Sequence, residues 1–123
     1  MLIFGHKWIE LPKFYKIETI DDIKETPSNS TILLSNLEEY IDIAKYCKKN
    51  SIPFAIEVNS IKDAIFSNLL NAKYIVTSKE LAKSIMPIAQ NYLFDSLVLA
   101  KINSEDEIEE MAKSGIDGVI FNL

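Results

Sequence analysis

The sequence predicts a three-layer α/β/α fold with a mostly parallel sheet of about five strands, plus an N-terminal strand pair. Three observations carry this. Short apolar runs alternate with longer amphipathic stretches, the runs start roughly twenty residues apart, and polar turns with a helix-capping Ser or Asn follow most of them. The runs are Thr31 to Leu34, Pro53 to Val58, Lys73 to Val76, Leu97 to Ile102 and Asp117 to Phe121. They are rich in Ile, Val, Leu and Phe with little polar alternation, as strands buried on both faces require.

The N-terminal third differs. Met1 to Ile9 and Phe14 to Ile17 read as two short strands around Pro12, followed by a brief helix near Thr19 to Glu25 and a turn-rich loop from Thr26 to Ser30. The chain is therefore read as one α/β domain over 1–123, with 1–30 holding the strand pair and short helix and 31–123 the repeated βα units. Each repeat has its own helix start. LLSN, EVNS, VTS and INS place Ser35 or Asn36, Ser60, Ser78 and Ser104 where an oxygen can accept a hydrogen bond from an unpaired helix N–H. Ser104 with Glu107 also fits a capping box.

The helices carry apolar stripes at steps of three and four. These are Leu37, Ile41, Ala44 and Cys47; Ile61, Ala64, Ile65 and Leu69; Leu81, Ile85, Ile88, Ala89 and Tyr92; and Ile108, Met111 and Ala112, each expected to face the sheet. Pro87 is expected to kink or break the fourth helix. Gly115 suits a left-handed C-terminal cap. The pattern is that of the doubly wound, Rossmann or flavodoxin-like class. No helix follows the last strand, so the N-terminal segment or a second subunit is expected to shield its edge, and a homodimer is the expected assembly.

Composition excludes several functions. The chain has 123 residues, 48% of them hydrophobic, and no apolar run approaching the length of a membrane span. No secretory signal opens the sequence, which points to the cytoplasm. The basic residues are 13 against 18 acidic, all of the former lysine, and the net charge is −5. Without the planar, bidentate arginine fork, neither nucleic-acid reading nor binding to an acidic membrane surface is expected. GxGxxG, GxxxxGK[ST] and GxSxG are absent, so no dinucleotide or nucleotide cofactor is expected. One histidine, His6, and one cysteine, Cys47, build neither a zinc site nor an obvious catalytic triad. Cys47 falls on an apolar helix side, the place of a structural thiol.

In a parallel sheet the ligand site lies beyond the strand carboxyl ends. Those turns hold Ser35, Asn36, Asn59, Ser60, Thr77, Ser78, Asn103, Ser104 and Asn122. Asn59, Ser60, Thr77, Ser78, Asn103 and Ser104 are the candidate ligand-binding set, able to donate to a small anion or sugar. Caps and turns account for most of the same residues. Glu57 and Lys101 are the candidate catalytic pair, because each is a charge within an apolar strand run. A desolvated lysine forms a Schiff base with a carbonyl, and a neighbouring glutamate can shuttle the proton.

Two segments, AIEVNSIKDAIFSNLLNAKYIVTS and AKINSEDEIEEMAKSGIDGVIF, are similar to two βα quarters of the barrel aldolases of the keto-deoxy-phosphogluconate type. The similarity covers barely half the chain and lacks that family's glycine-rich phosphate turn, so it assigns no family. The aromatic N-terminus, with Phe4, His6, Trp8, Phe14 and Tyr15, is a further patch suited to a core, an interface or a stacked ligand. The expected function is thus a non-catalytic protein that self-associates and binds a protein partner or small ligand. The alternative is a lyase or aldolase-like enzyme using Lys101 and Glu57.

Overall fold

A computed structural model describes residues 1–121 and 123. Asn122 lies outside the described residues. The elements in chain order are β1 (Leu2–Phe4), β2 (Phe14–Lys16), α1 (Asp21–Glu25), β3 (Thr31–Leu34), α2 (Ile41–Lys49), β4 (Phe54–Glu57), α3 (Ile61–Leu69), β5 (Tyr74–Thr77), α4 (Lys79–Asn91), β6 (Leu97–Ile102), α5 (Asp106–Lys113) and β7 (Gly118–Phe121). All seven strands join one parallel sheet in the order β1-β7-β6-β5-β4-β3-β2. The α/β class and the parallel sheet are as the sequence predicts, with seven strands in place of about five.

From β2 to β7 every connection moves one position in the same direction along the sheet. Because parallel crossovers share one hand, the helices they carry fall on one face. The buried apolar residues of α2, α3, α4 and α5 accordingly join Ile32, Leu34, Phe54, Ile56, Ile75, Val98 and Val119 in one cluster. A second cluster is built only from strands: Phe4, Leu33, Ala55, Tyr74, Val76, Leu99 and Ile120. The two sets alternate along each strand, so both faces of the sheet are buried. The second face is covered by the sheet's own curl. That curl brings Phe4 of β1 and Phe14 of β2 to 4.9 Å between ring centroids, and both rings meet Tyr74, at 5.3 and 5.6 Å.

The two N-terminal strands are therefore not partners of each other. β1 pairs with β7 and β2 with β3, and the rims meet through side chains alone. The outer edge of β7 is shielded by the N-terminal segment, the first of the two expected covers. Gly118 makes that pairing possible, because a Cβ there would lie 2.8 Å from the Leu2 carbonyl oxygen. Gly5, at φ +85, then ends β1, so the expected alternation through His6 and Trp8 stops and Trp8 stands exposed.

Several local expectations meet the structure closely. Leu37, Ala44 and Cys47 are buried, and Gly115 takes φ +73 after α5. Ser60 and Ser78 accept hydrogen bonds from the N–H groups of Asp63 and Leu81, at 3.1 and 3.2 Å. Asn36 accepts from the N–H of Glu39 in the turn before α2. Others differ. Ser104 receives the Glu107 N–H on its carbonyl, while the Glu107 carboxylate accepts from Asn103 N–H, one residue earlier than a capping box would have it. The helix α4 runs on through Pro87, held to the sheet by Ala82, Ile85, Met86 and Ala89. Tyr92, at its end, is exposed. The helix α3 turns Ala64 and Ser67 inward and leaves Ile61, Ile65 and Leu69 outward. The largest apolar residues of this helix therefore do not mark its inner face, and small side chains at steps of three let it sit close to the strands.

Candidate functional site

Period-two alternation fixes what stands at the carboxyl-end mouth of the curl. Phe14, Ala55 and Leu99 point inward on β2, β4 and β6, so Lys16, Glu57 and Lys101, each two residues on, point inward one layer higher. They meet. Lys101 Nζ lies 3.3 Å from Glu57 Oε2, and Lys16 Nζ lies 3.7 Å from Glu57 Oε1. One carboxylate thus bridges two ammonium groups supplied by alternate strands. The Glu57 side chain is 20% exposed, Lys101 36% and Lys16 60%, so the trio is open to solvent on its outer side.

The sequence pair Glu57 and Lys101 is therefore brought together, though without the deep burial that the Schiff-base argument assumed. Sequence reasoning missed Lys16. Its signal was present: an aromatic residue two positions earlier in a short strand marks Lys16 as sharing the inner face.

The polar set is dispersed by comparison. Asn59, Thr77 and Ser78 line an open cleft of about 350 Å³ between the starts of α3 and α4, with Glu80, Leu81 and Ser84. Ser60, Asn103 and Ser104 do not line it. The hydroxyls are mostly engaged in the scaffold: Ser60 and Ser78 cap helices, and Thr77 Oγ1 donates to the Val58 carbonyl at 2.8 Å.

Next to this cleft, α4 and α5 are tied by charge. Lys79 reaches Glu107 at 3.3 Å and Glu110 at 3.9 Å, and Lys83 reaches Glu110 at 2.6 Å. The Asn103 N–H, then Lys79, hold Glu107 below the usual glutamate range, and Lys83 does the same for Glu110. Lys79 is raised in turn, chiefly by its hydrogen bond to Glu107. These groups stabilise each other's charged forms and fix the α4–α5 spacing.

A larger cleft, of about 1080 Å³, follows the seam between β1 and β2. His6, Lys7, Lys13, Phe14, Tyr15 and Phe121 are among its walls. Four of the five N-terminal aromatic candidates, Phe4, His6, Phe14 and Tyr15, border it, and Trp8 does not. His6 meets Trp8 edge-on and Phe121 at a tilt, is hydrogen-bonded to Glu105, and accepts the Trp8 backbone N–H on Nδ1 at 3.1 Å. This anchors the segment after β1 to the start of α5. Cys47 is fully buried, and loss of solvation pushes its thiol up to about 11, so it is an inert core group at neutral pH. Among the described residues no three His, Cys, Asp or Glu side chains converge as metal ligands. No helix among the described residues is long and apolar enough to cross a membrane. No family model matches the chain, and no curated protein matches it either.

Proposed function

We propose that this is a non-catalytic ligand-binding protein that takes a small organic anion, a carboxylate or phosphate ester, at the mouth formed by Lys16, Glu57 and Lys101. The observation that carries the reading is the charge count of the trio: two ammonium groups about one carboxylate, on the inner side of the strand carboxyl ends, in a chain of net charge −5. Parallel α/β sheets bind ligands at this end. Lys101 and Lys16 donate to the anion, and Glu57 keeps both amines directed inward while accepting from a ligand hydroxyl. The polar set Asn59, Ser60, Thr77, Ser78, Asn103 and Ser104 serves as rim and scaffold. A cytoplasmic setting, read from the sequence, belongs to this proposal.

A second reading has a specific observation behind it. Lys101 Nζ is reachable from solvent and 3.3 Å from a carboxylate, so it can attack a carbonyl and expel water with Glu57 moving the proton. One experiment separates the two. Calorimetry with a panel of 2-oxo acids and small phosphate esters should show saturable binding that falls at least tenfold in both Lys16→Ala and Lys101→Ala. Borohydride treatment of the same mixtures should leave no adduct. A covalent adduct on the wild type that is missing from Lys101→Ala would establish the lyase reading instead. Absence of binding across the panel would refute both.

A further inference from the structure

We infer that a second copy of this chain docks on the outer face of α3 and the turn after α4, forming an isologous dimer. Six of the twelve large apolar side chains exposed among the described residues lie here: Ile61, Ile65, Phe66 and Leu69 on α3, and Tyr92 and Leu93 beyond α4. The two pieces form one surface, because Asn68 Oδ1 accepts the N–H groups of Asp95 and Ser96, at 3.1 and 3.2 Å, and ties the turn to the helix. The sheet covers only the Ala64 and Ser67 side of α3, while the large apolar residues Ile61, Ile65, Phe66 and Leu69 stand exposed, the reverse of the burial such side chains favour.

Leu93 adds an independent sign. It takes φ +53, in the left-handed position that closes α4. The corresponding positions after α2, α3 and α5 hold Ser51, Asn71 and Gly115, small or polar residues. A branched apolar residue there is strained, and it stands 84% exposed. Nothing within one chain makes use of it.

The occupant is a second copy for two reasons. Covering the six side chains would remove on the order of 700 Å² per copy, close to the roughly 800 Å² per partner of a stable interface. The ridge Ile61, Ile65, Leu69 is symmetric about Ile65, so a two-fold axis there sets Ile61 against Leu69 of the partner subunit and repeats the contact.

Sedimentation equilibrium of the full chain at micromolar concentration should give twice the mass of one chain. Phe66→Lys should give a monomer with unchanged far-UV circular dichroism. Leu93→Gly, which relieves the backbone and so folds, should weaken the dimer at least fivefold. A wild-type monomer at hundreds of micromolar would overturn the inference, and so would a dimer that both variants leave intact. Wild-type monomer that binds phosphatidylcholine vesicles would assign the surface to lipid and overturn it likewise.

Discussion

Replacing Gly118 with Ala tests whether β1 closes on β7 as tightly as the register requires. An ideal Cβ at 118 lies 2.7 Å from Leu99 Cδ2, 2.8 Å from the Leu2 carbonyl oxygen and 3.0 Å from Leu2 Cβ. The leucine tip can swing away, but the Leu2 backbone cannot, because its N–H is held by the Asp117 carbonyl at 3.0 Å. Restoring ordinary contact moves β1 outward by about half an ångström, enough to forfeit roughly a quarter of the dispersion contact along its rim. Overpacking costs about 1–3 kcal/mol, and a backbone obstacle puts this case near 2–3. For a chain of this length that is a fall of roughly 6–15 °C in Tm. Urea unfolding followed by circular dichroism reads it directly. Gly115→Ala is the control: Gln90 Nε2 at 3.8 Å is ordinary contact, so only φ +73 matters, at a cost of about 1 kcal/mol. Equal stability of Gly118→Ala and wild type, within about 0.5 kcal/mol, would refute the packing argument.

Two further outcomes follow from groups the site does not use. The Cys47 thiol is raised to about 11 in the folded chain against an ordinary 9.0, so above pH 9 the unfolded chain has fewer bound protons than the folded one. Its contribution is complete below pH 9 and is lost as pH rises through 11, on the order of 3 kcal/mol in all; urea midpoints between pH 8 and 11 should flatten in Cys47→Ala, and an unchanged slope would refute the assignment. Pro87 is exposed inside α4 and removes one helix hydrogen bond. Pro87→Ala restores it and should raise stability by about 1–3 kcal/mol in the same assay; a loss would mean that the ring is needed for packing.

Local pattern revealed the strands where composition and burial agree. Thr31–Leu34 and Leu97–Ile102 stand where the apolar runs placed them, because a strand hidden on both faces has little choice but β-branched and large aliphatic residues. The order of strands has no local signature, since it depends on how successive crossovers accumulate. The short strand at Phe14–Lys16 was legible, but its inner face was not, and Lys16 was missed, because two of its three side chains are exposed. Glu57 and Lys101 were legible as charges interrupting apolar runs. Their meeting depended on register across β5, where Glu57 sits beside Val76 and Val76 beside Leu99. The helix α3 misled because its stripe of large apolar residues, Ile61, Ile65 and Leu69, faces outward, while the small Ala64 and Ser67 face the sheet.

The side-chain clasp between Phe4 and Phe14 also bears on how the chain is assembled. Residues 2–4 are synthesised well before residues 118–120, yet the two segments are hydrogen-bonding neighbours. The β3 to β6 core can form pair by pair from near neighbours in sequence, while β1 waits for a loop of more than a hundred residues to close. Closure of β1 on β7 is thus the late step of folding, and the nascent chain carries β1 unpaired until β7 has emerged.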